Sequence, residues 1–410
     1  MGCTGETLKS MPSRVVTTFL LARQILTPLE RIENAALIIT DGVIEAVGPR
    51  EAFTVPSGAR VVDFGDSTLT PGLIDIHIHG AAGHDVMDES AESLSVIGRM
   101  LARHGVTSFC PTTVSAPIDR TLKSLDSLGK AVKRNNGEGA FNSPRAVPIG
   151  VHLEGPFLSH ACRGVHPPQY LQPPSEELFN QMWDAAGGAV RVLTIAPELE
   201  GAPDLIRSAS RRGVCVSIGH SNATLPEALD GINAGARHAT HTFNAMRRFE
   251  HRDPGLLGAI LTDDAVAADI IADGVHVEPH VVDLFLRAKG FDRAVLISDG
   301  ISATGMPDGT YMLGSLQVQV RGDRCESDGK LAGSVLTLDR AVRNVMQFSR
   351  LSFQDSLRLA TLNPARVLGI EHRKGTLQVG ADADIAVYSR SGEVLHSIVG
   401  GVVGADVRSA

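Results

Sequence analysis

The chain has 410 residues, of which 43% are hydrophobic and 20% charged, which fits one large domain with a smaller accessory module. Its formal net charge of −8 gives no electrostatic basis for binding nucleic acid or an anionic membrane surface. The sequence contains no apolar run of about 18 residues, the length that a membrane-spanning helix needs. We therefore expect neither nucleic acid nor a membrane among its partners.

The five cysteines are scattered along the chain and include no C-x-x-C pair. Isolated cysteines in odd number predict neither a disulfide framework nor a cysteine-rich zinc site. The apolar stretch from Lys9 to Ala22 resembles a secretory signal only weakly, because Arg23 ends it and no small-residue cleavage site follows. A reducing cytoplasm is the expected location.

Short predicted strands separated by turns fill residues 15–66, and Asp41-Gly42 between two apolar segments is typical of a β-hairpin. Residues 382–390 and 394–404 have the same character. Neither end can bury a core alone, so we expect both ends to meet in one small β-sandwich. The predicted domains are a β-sandwich of residues 1–68 and 370–410 and a second domain of residues 69–369.

Between these ends, short β-rich segments alternate with helical patterns. The first segment, residues 73–79, is followed by a helical pattern. Seven more predicted strands lie at residues 106–111, 146–154, 190–197, 214–219, 236–241, 265–273 and 294–298. Eight such units over about 250 residues predict an α/β fold, the (β/α)8 or TIM-like barrel. A doubly wound open sheet is the alternative, but residues 80–83 lack the Gly-rich phosphate motif that it would require.

Six polar residues are predicted at the carboxyl ends of these strands, where barrel enzymes place their functional side chains. They are His77, His79, Glu154, His220, His241 and Asp299. The period of a strand places His77 and His79 on the same interior face. Each residue has a plain structural explanation when taken alone; Asp299-Gly300, for example, is a good turn dipeptide. Their coincidence at one end of a barrel instead predicts a site for one or two divalent metal ions, Zn²⁺, Fe²⁺, Mn²⁺ or Co²⁺.

Such a site favours hydrolysis over redox chemistry. A bound divalent ion lowers the pKa of its water from about 15.7 toward 7. Asp299, after the eighth strand, is placed to take the water proton and pass it to a leaving group. Glu154, after the third strand, is placed to ligate one ion or to bridge two.

Several motifs resemble the amidohydrolase superfamily and, within it, the N-acetylglucosamine-6-phosphate deacetylases. The superfamily resemblance rests on P-G-L-I-D-I-H-I-H-G at residues 71–80 and on the segments at 362–369 and 380–387. The deacetylase resemblance rests on H-L-E-G-P-F-L, R-G-V-H, G-H-S-N-A-T, T-H-T-F-N-A-M, D-P-G-L-L-G, I-A-D-G-V-H and S-D-G-I-S-A-T-G. These motifs begin at residues 152, 163, 219, 240, 253, 271 and 298. The resemblance runs from roughly residue 15 to residue 405.

The resemblance implies a role for each matched residue near the metal. The principal metal ligands would be Glu154, His220 and His241. Asp299 would act as general acid and base, and His166 would hydrogen-bond the acetamide carbonyl oxygen. The chain retains both His77 and His79, so it resembles the branch that can bind two metal ions.

The resemblance also implies how the substrate phosphate is held. Asn244 and the backbone N–H of Ala245 would face it, which suits an anion if a helix begins there. His276 and Arg252 would also hold the phosphate or the sugar. In the family this arginine reaches in from a neighbouring subunit, which implies a homodimer. A solvated loop charge is the plain alternative for Arg252.

The expected reaction is therefore hydrolysis of the acetamide of N-acetyl-D-glucosamine 6-phosphate to D-glucosamine 6-phosphate and acetate, in amino-sugar catabolism. The 4-epimer, N-acetylgalactosamine 6-phosphate, is an open alternative, because no residue is identified that would bind the 4-hydroxyl group and distinguish its two configurations. A cyclic-amide hydrolase is disfavoured because the fourth strand segment, residues 190–197, contains no lysine that could be carboxylated. A non-catalytic scaffold is disfavoured because all six polar positions are retained.

Overall fold

The chain builds two hydrophobic cores. The computed structural model describes residues 17–135 and 144–404. The larger core lies in a central barrel, and the smaller core, which includes Leu20, Leu69 and Ile385, lies in a β domain built from both chain ends. Residues 1–16 and 405–410 of the predicted β domain lie outside the described residues. The domain boundaries at 68/69 and 369/370 stay a prediction.

The β domain is a seven-stranded sheet. Its strands are Thr17–Leu26, Arg31–Thr40, Val43–Pro49, Arg60–Asp63, Thr68–Pro71, Ile385–Tyr388 and Val394–Ile398. The first strand pairs antiparallel with the second and parallel with the fourth and fifth. The fifth pairs with the sixth, which joins the two ends of the chain as predicted. The sheet curls until Val43 bridges Asp382, so one continuous sheet encloses the core.

The central barrel has eight parallel strands, numbered here as barrel strands 1–8. They are Leu73–Ile78, Val106–Thr113, Val151–Glu154, Val190–Ile195, Cys215–Ile218, His238–Ala239, Ala267–Ile271 and Ala294–Ile297. They pair in sequence order from 1 to 8. A two-residue strand, Val147–Pro148, pairs beside barrel strand 2. The predicted (β/α)8 barrel is confirmed. Seven of the eight predicted strand segments contain one of these strands, and the predicted segment 106–111 covers the first six residues of Val106–Thr113.

The barrel closes between strands 8 and 1 at its carboxyl end. Ile78 and Gly300 form a parallel bridge there. The N–H of Asp299 donates to the carbonyl of His77 (3.0 Å), and the N–H of His79 donates to the carbonyl of Gly300 (2.8 Å). The hydrogen bonds that close the barrel therefore also fix the backbone of three residues of the predicted metal site.

Helices pack around the barrel. They are Ala91–Arg103, Ile118–Asn135, Glu176–Ala185, Ala202–Arg211, Leu225–Ala234, Gly255–Thr262, Pro279–Lys289, Leu338–Phe348, Phe353–Arg358 and Leu362–Val367. Two 3₁₀ turns lie at Arg50–Ala52 and Pro168–Tyr170. Ser90 and Ser175 cap free N–H groups at two helix starts, and Thr224 forms a capping box with Glu227. Each helix after a barrel strand returns the chain, so all eight strands end on the same side of the barrel.

An inserted four-stranded sheet follows barrel strand 8. Its strands are Gly309–Leu313, Leu316–Arg321, Arg324–Ser327 and Lys330–Leu331, and each pairs antiparallel with the next. A smaller hairpin, Gly80–Ala81 with His84–Asp85, follows barrel strand 1. The sequence analysis does not predict either element, because strands of two to six residues carry little periodic signal. In the described parts of the chain, no helix is long and apolar enough to cross a membrane.

The predicted hairpin at Asp41-Gly42 generates a test of the β domain. Both residues have positive φ (+50° and +78°), as a two-residue type I′ turn requires. A Cβ on Gly42 would lie 2.8 Å from the Gly400 carbonyl oxygen, whereas a Cβ on Gly58, also at positive φ, would meet nothing within 4 Å. We expect Gly58→Ala to lower the free energy of unfolding by about 1 kcal/mol, because alanine disfavours a left-handed backbone. Gly42→Ala should lower it by at least about 1 kcal/mol more, because its Cβ would also clash with Gly400. Urea unfolding of both variants measures the difference, and equal losses would contradict it.

Candidate metal centre and active site

The six polar residues predicted at strand ends meet at the carboxyl end of the barrel, and all six are buried. They form two groups, and within each group the ligand atoms lie within 4.8 Å of one another. One group is His77, His79 and Asp299, and the other is Glu154, His220 and His241. Both groups therefore meet the geometric requirement for a set of metal ligands.

Three of these residues lie on unusual backbone. His220, His241 and Asp299 each follow the last residue of barrel strand 5, 6 or 8 by two positions. Their φ angles are +49°, +30° and +50°, in the left-handed region that few residues other than glycine adopt. Such strain persists where the surrounding structure holds it, and it concentrates at functional sites. The repetition at three strand ends indicates that side-chain placement outweighs local backbone preference here.

The carboxylate of Glu154 lies at the centre of the site. Its two oxygens lie within 3.4 Å of the Nε2 atoms of His77, His79, His166, His220 and His241. Burial by itself would raise the pKa of Glu154, but charge at His77 and hydrogen bonds from His166 and His241 hold this pKa well below its usual range. Glu154 is therefore a buried anion surrounded by imidazole nitrogens.

Backbone partners fix the tautomer of two histidines. Nδ1 of His79 lies 2.9 Å from the carbonyl oxygen of Thr112, and Nδ1 of His220 lies 3.0 Å from that of Cys162. A carbonyl oxygen only accepts, so both Nδ1 atoms carry the proton and donate it. In the neutral ring each Nε2 therefore presents its lone pair to the centre, the form in which histidine ligates metal ions. Burial would lower the pKa of His79, but hydrogen bonds to Asp299 and Glu154 raise it well above its usual value, so Nε2 of His79 also holds a proton until an ion displaces it.

His166 has the opposite tautomer. Its Nδ1 accepts a hydrogen bond from the backbone N–H of Ser115 (3.2 Å) and lies 2.9 Å from the Ser115 hydroxyl. A backbone N–H only donates, so in neutral His166 the proton is on Nε2. That Nε2 lies 3.3 Å from Glu154 Oε2. Neutral His166 therefore presents a hydrogen-bond donor to the cleft, whereas neutral His79 and His220 present lone pairs.

Asp299 lies beside the first group as an ionised carboxylate. Its Oδ1 lies 3.1 Å from Nε2 of His79 and 3.5 Å from Nε2 of His77. Burial would raise its pKa, but the hydrogen bond from His79 and the charges of both imidazoles outweigh burial and lower the pKa to about 2. Asp299 is thus in the basic form that can accept a proton.

The donor chemistry of both groups fits a divalent cation. The Nε2 atoms of His220 and His241 lie 3.0 Å apart, and those of His77 and His79 lie 3.3 Å apart. Lone pairs at such distances repel each other unless a proton or a cation lies between them. Two buried carboxylates add negative charge that needs the same compensation. Imidazole nitrogens with carboxylate oxygens suit Zn²⁺, Fe²⁺, Mn²⁺ or Co²⁺.

A cleft opens above this centre, and most of the predicted substrate-binding residues line it. His166, Asn244, Ala245 and His276 are among its lining residues. Nδ1 of His276 lies 2.6 Å from a carboxylate oxygen of Asp273, whose other oxygen accepts the backbone N–H of His276 at 2.8 Å. Asp273 therefore fixes the orientation of the His276 ring at the cleft.

The helix start considered near Ala245 is absent. Residues 242–245 form a turn, and the next helix is Gly255–Thr262. Phe243 and Ala245 have φ angles of +80° and +50°, which a right-handed helix cannot contain. An anion near Asn244 would therefore meet individual donors and not a helix dipole.

Arg252 does not join the cleft of its own chain. It is exposed in the loop before helix Gly255–Thr262, and it is not among the residues that line the cleft. In that loop Arg247 instead pairs with Asp253. The predicted role of Arg252 in substrate binding therefore stays a prediction.

Sequence reasoning missed one side of the cleft. Val114 after barrel strand 2 and three leucines of the inserted sheet, Leu313, Leu316 and Leu331, line it with apolar side chains. It also missed Ser115 as the partner of His166. No local signal marks these residues, because each acquires its role from a contact far along the chain.

The sequence profile of the amidohydrolase family matches residues 68–404. An N-acetylglucosamine-6-phosphate deacetylase of Bacillus subtilis is 37% identical over 92% of this chain and 94% of its own length. An N-acetylgalactosamine-6-phosphate deacetylase of Escherichia coli O157:H7 is 36% identical over 90% of this chain and 94% of its own. The solved N-acetyl-D-glucosamine-6-phosphate deacetylase of Mycobacterium smegmatis superposes with a TM-score of 0.85, at 31% identity, over 94% of this chain and 99% of that one.

The barrel and its polar centre thus define a hydrolase of a class that is typically metal-dependent. The chain belongs to the amidohydrolase family. Within that family, the resemblance to N-acetylglucosamine-6-phosphate deacetylases is confirmed.

The charge state of His241 predicts how metal binding depends on pH. Burial would lower its pKa, but Glu154 outweighs burial and raises the pKa to about 9, whereas burial lowers the pKa of His220 to about 4. Between these values His241 carries a proton that a metal ion must displace, and His220 carries none. We therefore expect Mn²⁺ affinity to rise about tenfold per pH unit between about pH 6.5 and about pH 8.5.

Calorimetric titration in two buffers of different ionisation enthalpy measures the protons released. About one proton per ion is expected, and release of none would contradict the assignment. His280→Ala is the control, because that side chain is exposed on the surface and should leave the slope unchanged.

Proposed function

We propose that the chain hydrolyses the acetamide of N-acetyl-D-glucosamine 6-phosphate to D-glucosamine 6-phosphate and acetate, in amino-sugar catabolism. The observation that carries the proposal is the Nε2–H donor of His166, held by Ser115 beside two groups of candidate metal ligands. A donor next to a metal site is the arrangement that stabilises charge developing on a carbonyl oxygen. The named activity of relatives such as the Bacillus subtilis enzyme supports the same reaction.

The chain's own residues bind and orient this substrate. Nε2–H of His166 donates to the acetamide carbonyl oxygen. Asn244, the N–H of Ala245 and His276 face the phosphate from the part of the cleft above barrel strands 6 and 7. Asp273 keeps the His276 ring turned toward the cleft. The acetamide therefore lies over the two groups of candidate metal ligands, and the sugar phosphate lies toward barrel strands 6 and 7.

Asp299 moves the proton that hydrolysis requires. Its carboxylate takes a proton from the attacking water and returns it to the amide nitrogen as the C–N bond breaks. The products are acetate and the free amine of the sugar. His166 holds the carbonyl oxygen throughout, and loss of such a donor typically costs about 10²–10³ in rate.

We propose that the cofactor is one or two divalent ions, Zn²⁺, Fe²⁺, Mn²⁺ or Co²⁺. Glu154, His220 and His241 would hold the principal ion, and His77, His79 and Asp299 would hold a second. A bound divalent ion supplies water of lowered pKa and polarises the carbonyl.

We further propose a cytoplasmic homodimer in which Arg252 enters the neighbouring cleft. The exposed position of Arg252, away from its own cleft, supports this arrangement. Cytoplasmic location rests on the free thiols, since Cys110, Cys162, Cys215 and Cys325 form no disulfide.

The alternative substrate is N-acetylgalactosamine 6-phosphate, the substrate for which the Escherichia coli relative is named. A cyclic amide is a weaker alternative. The residues that line the described cleft include no lysine for carboxylation, and Glu154 occupies the position between the two groups.

The deciding experiment is acetate release from both epimeric N-acetylhexosamine 6-phosphates, with chelator and with added divalent metal. We expect metal-dependent release, faster from the gluco epimer, and loss of activity with chelator. We expect Asp299→Asn to retain metal at Glu154, His220 and His241 but to lose about 10²–10⁴ in kcat.

Asp264→Asn, a neutralised carboxylate on the surface, is the matched control and should retain full activity. An active Asp299→Asn enzyme would exclude Asp299 as the acid and base. Absence of acetate release from both epimers with metal present would exclude the proposed reaction.

Arg252 provides a separate test of the dimeric phosphate site. We expect Arg252→Ala to raise KM for the phosphorylated sugar about 10- to 100-fold with little change in kcat, since a charge-assisted hydrogen bond is lost. Arg248→Ala is the matched control, because Arg248 is exposed in the same loop. An unchanged KM in Arg252→Ala would show that Arg252 does not bind the phosphate.

A further inference from the structure

One side of the cleft is apolar, in contrast to the rest. It consists of Val114, Leu313, Leu316 and Leu331, here termed the apolar wall. Val114 and Leu313 are almost completely buried, whereas Leu316 and Leu331 are partly exposed. Barrel strand 2 and the inserted sheet thus supply a surface that offers no hydrogen bond to a ligand.

Contacts on both sides of the Leu313–Leu316 turn hold the apolar wall in place. The N–H of Gly314 donates to a carboxylate oxygen of Asp85 at 2.7 Å, and the Ser302 hydroxyl donates to the carbonyl of Met312. Gly314 has a φ of +57°, and a Cβ there would lie 2.6 Å from a methyl carbon of Val114. The turn therefore packs its backbone directly on Val114, and the apolar wall is preorganised.

The apolar wall adjoins the atoms that would handle the acyl group. Val114 directly precedes Ser115, which fixes the donor tautomer of His166. At the other end of the apolar wall, Ser334, three residues after Leu331, donates its N–H to the carbonyl of Asp299 at 2.8 Å. The apolar wall therefore shares the cleft with the proposed carbonyl donor His166 and the proposed acid and base Asp299, and it is linked to each through a nearby residue.

The phosphate end of the substrate would lie elsewhere. Asn244 follows barrel strand 6, and Val114 follows barrel strand 2, which is diametrically opposite in an eight-stranded barrel. The apolar part of the proposed substrate is the acetyl methyl group, since the sugar carries hydroxyls and the phosphate is charged. Removing such a methyl group from water against an apolar surface favours binding. The methyl group is therefore assigned to the apolar wall for two reasons: it is the apolar part of the substrate, and the apolar wall lies opposite the residues proposed to bind the phosphate.

We infer that the apolar wall is the acyl subsite and determines which N-acyl groups the enzyme hydrolyses. The inference rests on the proposed function and adds a substrate class to it, namely the N-acyl-glucosamine 6-phosphates. In each case one water is consumed, the C–N bond breaks, and a carboxylate and the sugar amine form. Leu316 and Leu331, which are partly exposed in the cleft, set the permitted length of the acyl chain.

The test compares N-formyl, N-acetyl, N-propionyl and N-butyryl glucosamine 6-phosphate by kcat/KM for release of the sugar amine. Leu331→Ala and Leu316→Ala should raise the propionyl-to-acetyl ratio at least about tenfold, because one methylene in an apolar pocket is worth about 10- to 200-fold. Leu331→Phe should have the opposite sign and raise the formyl-to-acetyl ratio. Leu331→Val is the milder replacement if Leu331→Ala does not fold.

Met312→Ala is the matched control, since Met312 is on the same strand as Leu313 but is 46% exposed and does not line the cleft. Ratios that stay within about twofold of wild type in both leucine-to-alanine variants would overturn the acyl subsite, as would an equal change in Met312→Ala. In those cases wild-type acetate release still supports the proposed function. If the wild-type enzyme releases no amine from any of the four compounds, the proposed function is wrong, and the acyl subsite is then excluded as well.

Discussion

The carboxylate of Glu154 is buried at the top of the barrel, and five imidazole Nε2 atoms lie around it. A buried anion is costly unless charges or hydrogen bonds compensate it. The compensating imidazoles are carried by barrel strand 1, by the residues after strands 5 and 6, and by the loop that follows strand 3. These elements must therefore end at the same height along the barrel axis. Barrel closure at Ile78 and Gly300 fixes that height for strands 1 and 8. The site and the barrel therefore depend on one set of backbone contacts.

The imidazoles around this carboxylate are chemically different from one another, although all are histidines. In the neutral rings, carbonyl partners make His79 and His220 present lone pairs, whereas a backbone N–H makes His166 present a proton. This difference separates candidate ligands from a candidate oxyanion donor without reference to any relative. It also explains why the residues behind the site matter, because a ring with the wrong tautomer cannot perform its role.

The cleft above the centre has two chemically distinct sides. Asn244 and His276 offer polar groups above barrel strands 6 and 7, and the leucines of the inserted sheet offer apolar surface near strand 2. Asymmetry of this kind orients a ligand that is charged at one end and apolar at the other. The inserted sheet, absent from a minimal barrel, thus contributes most of the apolar side of the recognition surface.

The sequence by itself determined the eight-stranded barrel, the β domain shared by both ends and the six polar residues at strand ends. Strand alternation and strand-end position are local patterns, and a barrel converts strand ends into spatial neighbours. Only the tertiary structure decided the tautomers, the inserted sheet, the turn at residues 242–245 and the position of Arg252 on an exposed loop rather than in the lining of its own cleft. His166 lies 51 residues from Ser115, and His79 lies 33 residues from Thr112. A proton on a ring nitrogen is set by its hydrogen-bond partner, and no local pattern specifies a partner so distant along the chain.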